Sequence, residues 1–245
     1  TTYESTLFEL NMAACQQSRP SLYQLLISAE TTDRYWLFES EHSSRAHNLI
    51  DVTNDKLFYE QSDPLGSMAA HLETCINKLQ GVMLCLGFGL GYGPLMLVQQ
   101  KNHVARSIIV IEPDPEVVLK AFCALDCRSI LESIDVLLLI GMELPEISSA
   151  VTGHLILENR LVSAKNFQII DLPAAYSTNK SYFDAAIQKV SQAVLEGVKV
   201  FGNCPNDALE GLDTSLANYS LHTHLPGILP LKGQFKGKPG IVVAT

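Results

Sequence analysis

Val82-Met-Leu-Cys-Leu-Gly-Phe-Gly-Leu-Gly-Tyr-Gly93 is followed, after a helix-length gap, by Ser107-Ile-Ile-Val-Ile-Glu-Pro-Asp-Pro115. The first run opens with five mostly apolar residues, the pattern of a strand buried on both faces. Gly87, Gly89, Gly91 and Gly93 then stand at alternate positions, where the backbone can turn sharply and come close to a neighbour. Pro94 to Lys101 has the pattern of a short helix, and Ile108 to Glu112 that of the next parallel strand. Strand, glycine loop, helix and a strand ending in an acid open a doubly wound nucleotide-binding sheet. In that arrangement the loop amides face an anionic or polar ligand, and the acid accepts hydrogen bonds from ribose hydroxyls. Glu112 stands 25 residues after Gly87, near the ~20 such a role requires. The alternative is a tight turn whose glycines serve close packing.

Upstream, Thr1 to Ala29 is helical in pattern and broken at Pro20. Tyr35 to Phe38 favours a strand, with Trp36 expected to pack and a ligand stack as the alternative. Leu49 to Thr53 and Lys56 to Glu60 flank Asn54-Asp55, a two-residue turn suited to a hairpin. Asp63-Pro64 closes this helical and β-meander arm, residues 1–64. Leu65 to Leu79 is a helix leading into the glycine stretch, with His71 expected to be structural because spacing brings no second ligand near it.

Downstream, Pro115 and Glu116 open a helix through Leu125, Pro115 at its natural first position. Asp135 to Ile140 is a third strand, followed by Gly141-Met142-Glu143 and a helix from about Pro145. Leu155 to Leu161 fits either helix or strand. Phe167 to Asp171 is a fourth strand, and Tyr182 to Glu196 an amphipathic helix. Residues 65–200 thus form a Rossmann-like α/β domain with a mainly parallel sheet. Residues 201–245 read as a connecting segment with helical pattern around Leu209 to Leu221, then one strand, Ile241 to Thr245, beginning a further domain. Because the chain begins at Thr1 and stops inside an apolar run, it reads as a piece of a longer protein.

The 47 % hydrophobic content of 245 residues suffices for a sizeable core, and the net charge of −9 disfavours nucleic acid and anionic membranes as partners. No apolar run reaches the ~18 residues of a membrane span, and no signal peptide is visible. The six scattered cysteines fit a reducing cytoplasm. Cys123 and Cys127 lie at i, i+4, and His222 and His224 two apart, but neither pair completes a four-ligand set, so no metal is expected. Asp171, before Leu172-Pro173 at a strand's carboxyl end, is the one weak candidate for a catalytic acid.

Two family resemblances attach to these motifs. Leu84-Cys-Leu-Gly-Phe-Gly-Leu-Gly91 resembles the first motif of class I S-adenosylmethionine-dependent methyltransferases. That resemblance implies a cofactor site made by Gly87, Gly89, Gly91 and Tyr92, with Glu112 on the ribose and Met142 or Glu143 near the adenine; Asp114 would line the same cleft. The sequence departs from the motif at Cys85, where an acid normally bonds the methionine ammonium, and at Met142, where an Asp is usual.

More of the chain resembles the bacterial motility associated factor glycosyltransferases, which are thought to attach nonulosonic acids to flagellin. Leu86-Gly-Phe-Gly-Leu-Gly-Tyr92, Ile109-Val-Ile-Glu-Pro-Asp-Pro115 and Phe201-Gly-Asn-Cys-Pro-Asn-Asp-Ala-Leu-Glu-Gly211 carry it, with Asn218 and Lys238-Pro-Gly-Ile-Val-Val243 further on. Asn48-Leu49 and Asp63-Pro64 fit the same layout. The resemblance implies an N-terminal accessory domain that scaffolds the following catalytic domain, contacts flagellin, or binds a nucleotide. No transferase residue of the family falls on this chain. A purely structural or homo-oligomerising module is the third expectation.

Overall fold

The computed structural model describes residues 6–40, 46–76, 81–100, 105–156, 167–201 and 205–219. Four strands, β4 (Gly81–Leu86), β5 (Ala105–Glu112), β6 (Val136–Ile140) and β7 (Phe167–Asp171), make an all-parallel sheet in the order β6-β5-β4-β7. Three earlier strands, β1 (Tyr35–Glu39), β2 (His47–Asp51) and β3 (Lys56–Leu57), form an antiparallel meander in sequence order. The Rossmann-like α/β class read from the glycine stretch is the observed one.

All six residues of β4 are buried. Val82, Leu84 and Leu86 pair with both β5 and β7, so this strand is the middle of the sheet. That is why its sequence is continuously apolar rather than alternating. The helices join in two sets. In the first, α1 (Thr6–Ser18) packs on α5 (Pro115–Ala124) and α6 (Arg128–Glu132), α6 on α4 (Tyr92–Gln99), and α4 on α3 (Pro64–Cys75). In the second, α7 (Leu144–Ile156) and α8 (Pro173–Thr178) pack on α9 (Lys180–Phe201). Phe183, Ala186, Val190 and Ala193 of α9 are fully buried at helical spacing.

Capping chemistry sets several boundaries. Asp63 accepts from the Gly66 amide at 2.9 Å and Pro64 opens α3; Asp114 accepts from the Glu116 amide at 3.0 Å and Pro115 opens α5. Each cap satisfies a helix-end amide that would otherwise be orphaned. Pro20 begins α2 (Pro20–Ser28), so the break expected in the first helical stretch is there.

Residues 1–202 form one compact unit, and Cys15, Leu26, Tyr35 and Leu49 join the same core as the sheet. Three local readings change. The hairpin loop is four residues, Val52 to Asp55, because Asp51 pairs with Lys56. Asp51 Oδ1 accepts from the Thr53 and Asn54 amides, so a side chain dictates the turn that the Asn-Asp dipeptide alone suggested. Trp36 is 73 % exposed, while its neighbour Tyr35 is buried; the strand pleat gives Tyr35 the inward place, where its hydroxyl donates to Asp114 at 2.9 Å. Finally, α6 and α8 are short helices that no periodicity announced.

Arm and sheet are stitched together by polar side chains. Asn11 is fully buried; its Nδ2 donates to the Phe122 and Leu125 carbonyls at 3.0 and 2.7 Å, and its Oδ1 accepts from the Cys127 amide at 2.9 Å. It thereby closes the end of α5 onto α6. The Arg19 guanidinium donates to the Leu131, Ser133 and Val136 carbonyls. Asn11→Ala leaves two buried backbone groups and one part-buried group without this partner and is expected to cost about 2–3 kcal/mol in urea unfolding.

A second compact unit spans residues 203–245, of which 205–219 are described. It holds α10 (Pro205–Ala217), with Leu209, Leu212 and Leu216 exposed. His222, His224 and the strand expected at Ile241 to Thr245 lie outside the described residues. Among the described residues no helix is long and apolar enough to cross a membrane.

Candidate functional site

In a sheet ordered β6-β5-β4-β7 the chain advances from β4 to β6 and then reverses to the other side of β4. Ligands of open parallel sheets lie beyond the carboxyl ends of the strands at such a reversal. Here that place is bounded by the Gly87–Gly91 loop after β4 and by Asp171-Leu172 after β7, and the protein's own groups fill it.

Four of the five loop amides from Gly87 to Gly91 have an internal acceptor. Gly87 donates to the Ile111 carbonyl at 2.9 Å and Gly91 to the Phe88 carbonyl at 2.9 Å. The Phe88 amide donates to Glu112 Oε2 at 2.9 Å. Leu90 donates to the Tyr59 phenol oxygen at 2.9 Å. The other Glu112 oxygen accepts from the Asp114 amide at 3.1 Å. Donors that would face a ligand phosphate are thus taken up by the protein's own acceptors, among them a Glu112 side chain 2 % exposed.

Sterics agree with this accounting. Gly89 has φ +54°, and a Cβ there would stand 2.4 Å from the Tyr59 hydroxyl and 2.6 Å from Leu172 Cδ2. Gly87 has φ +99°, and its Cβ would meet that of Ala175 at 2.8 Å. The void beside the loop, walled by Tyr59, Cys85, Phe88 and Leu172, is about 10 Å³, room for about one water. Tyr59 and Tyr92 rings lie 5.1 Å apart, and Tyr92 donates to the His47 carbonyl at 2.8 Å.

Burial pushes the Glu112 carboxyl up to about 7, against the opposing pull of the Asp114, Phe88 and Gly89 amides. Desolvation outweighs these donors because the carboxyl is almost wholly buried. Burial likewise pushes the Cys85 thiol up to about 12, so it stays neutral near pH 7 and supplies no anion where a methyltransferase would carry an acid.

The remaining expected site residues scatter. Asp114 caps α5 and accepts from Tyr35 and Arg34. Met142 packs against the core, with its carbonyl accepting from Tyr182 at 2.7 Å, and Glu143 is exposed beyond β6, one strand further from β4 than Glu112. Asp171 ends β7 at the reversal, as expected for its position. His71 is not isolated: its Nε2 lies 2.7 Å from the Asp171 carbonyl oxygen, 3.5 Å from Asp171 Oδ1 and 3.6 Å from Cys75 Sγ.

The larger opening lies across Tyr59 and Leu172 from the glycine loop. It is a cleft of about 350 Å³, with Phe58, Tyr59, Met68, Leu172 and Pro173 as its mainly apolar walls and His71 among its polar ones. Sequence reasoning missed Tyr59 and Leu172, the two residues that shut the loop off from this cleft. Tyr59 comes 31 residues before the Leu90 amide it holds, and no local pattern marks it.

No family model matches the sequence, and neither does any curated protein. Among solved structures, the chain is similar to the MAf glycosyltransferase from Magnetospirillum magneticum AMB-1, with a TM-score of 0.53 and 16% identity over 74% of this chain and 35% of that one. MNMC2 from Aquifex aeolicus matches at a TM-score of 0.28 and 17% identity, over 52% of this chain and 50% of that one. The Magnetospirillum likeness concerns the fold, and this chain spans about a third of that protein's length.

Proposed function

We propose that this chain is the N-terminal accessory domain of a motility associated factor-like glycosyltransferase, acting as a scaffold without transferase activity of its own. One observation carries the reading: two side chains of the protein itself close the glycine loop, Glu112 on the Phe88 amide and Tyr59 on the Leu90 amide. A loop closed in this way knits the meander and the sheet into one body, which suits a scaffold more than a nucleotide site. The fold similarity to the Magnetospirillum protein and the three stretches that resemble that family support the same assignment. Its partner is then the catalytic domain that follows in the longer cytoplasmic protein, with flagellin as the acceptor. A methyltransferase would need an acceptor for the methionine ammonium, and the buried neutral Cys85 is a poor one.

The test is thermal unfolding with S-adenosylmethionine, CMP, UDP and NAD. A ligand at 100 times its dissociation constant adds about 2.7 kcal/mol, which raises Tm by roughly 5–11 °C in a chain of this size. No shift is expected from any of the four. A shift that disappears in Glu112→Ala, with that variant still folded, would overturn the scaffold reading in favour of a ligand at the loop.

A further inference from the structure

We propose that His71, Cys75 and Asp171 form a binding site for a zinc-class divalent ion, independently of the scaffold reading. His71 and Cys75 stand four residues apart near the end of α3, hence on one helix face, and Asp171 reaches them from the carboxyl end of β7. One ligand atom from each residue lies within 4.8 Å of the others. Two of the three edges are given directly: His71 Nε2 is 3.5 Å from Asp171 Oδ1 and 3.6 Å from Cys75 Sγ. A tetrahedral ion with bonds of about 2.0–2.3 Å has ligand-to-ligand edges of roughly 3.3–3.8 Å. Both edges therefore already have the length that an ion would impose.

The donor set narrows the ion. One imidazole, one thiolate and one carboxylate suit Zn²⁺ or its neighbours rather than Mg²⁺ or Ca²⁺, which prefer oxygen alone. Three protein ligands leave a fourth position for water or for an oxygen donor, the pattern of catalytic rather than structural zinc. The His71 and Asp171 side chains are 28% and 39% exposed, so an ion can enter. His71 is also part of the wall of the 350 Å³ cleft.

Binding has a definite proton balance. The Asp171 carbonyl can only accept, so the 2.7 Å contact assigns a proton to His71 Nε2. Coordination through Nε2 requires that proton to move to Nδ1, while the Cys75 thiol gives its proton to solvent.

Cobalt reads the site directly. Titrating the intact chain with Co²⁺ should give one equivalent bound, a thiolate-to-cobalt charge-transfer band and the intense visible absorption of a tetrahedral ion, all displaced by Zn²⁺. Cys75→Ser should abolish the charge-transfer band, and Asp171→Asn should weaken binding at least tenfold; circular dichroism checks that each variant is folded. Cys123→Ser and Cys204→Ser should leave the band unchanged. No charge-transfer band in the unmodified chain, or a band that survives Cys75→Ser, overturns the proposal. So does a His71→Ala variant that loses stability yet binds cobalt unchanged, which would leave His71 as a tie between α3 and β7 only.

Discussion

Glu112→Ala is expected to lower the unfolding free energy of the ligand-free chain by about 4 kcal/mol, because each stranded buried amide costs about 1–3 kcal/mol. The amides of Phe88 and Asp114 both rest on this one carboxyl, and the surrounding void offers about 10 Å³, too little for water to replace it fully. A side chain reserved for a ribose would behave differently: its removal would barely change the chain alone. Urea unfolding without nucleotide therefore separates the two roles, and wild-type stability in Glu112→Ala would refute the internal clasp.

The same carboxyl carries a pH signature with a definite sign. Its folded value of about 7 lies above the ordinary 4.5, so in that interval the folded chain holds a proton that the unfolded chain has released. The associated stability is fully present below about 4.5 and is lost as pH rises through about 7, some 3 kcal/mol in all. Glu112→Gln cannot titrate and turns one acceptor into a donor facing amides. Its deficit against wild type should be largest at and below about pH 4.5 and shrink towards about pH 8. A deficit that grows with pH would mean that the amides hold the carboxyl ionised.

Gly89→Ala is the second large effect, expected at about 4 kcal/mol. A left-handed backbone costs an L-residue roughly 1–2 kcal/mol, and overpacking a filled core adds about 1–3 kcal/mol. The added methyl stands 2.4 Å from the Tyr59 hydroxyl, so it also drives that oxygen off the Leu90 amide. Tyr59→Phe removes the struck atom, and in that background the alanine penalty should fall by about 1–2 kcal/mol. Strict additivity in urea unfolding would mean that the hydroxyl does not cover the loop.

The fold was legible because its signals are local. The apolar run of β4, the four glycines, Pro115 after Asp114 and the 3.6-residue period of α9 each announce an element within a few positions. The site was much less legible because its closure depends on distant residues. Glu112 carried the right prominence from its place at a strand end, but its direction into the loop rather than a cleft follows from burial that Tyr59 and Leu172 complete. Trp36 was misread because hydrophobicity cannot tell which of two adjacent strand residues faces inward, and Tyr35 wins through Asp114, 79 residues away. His71 looked solitary because Asp171 lies 100 residues on; only Cys75, at helical spacing, was within reach of a sequence search.

The stitching by Asn11 and Arg19 also bears on how the chain is born. Their acceptors lie 111 to 117 residues later, a stretch that takes roughly 5–20 s to synthesise at 5–20 residues per second. The opening helices leave the ribosome with Leu26 and Tyr35, which are buried in the finished protein, and with no docking face yet made. The first helices can therefore dock only after β6 has emerged, which is the biosynthetic consequence of tying them to the middle of the chain.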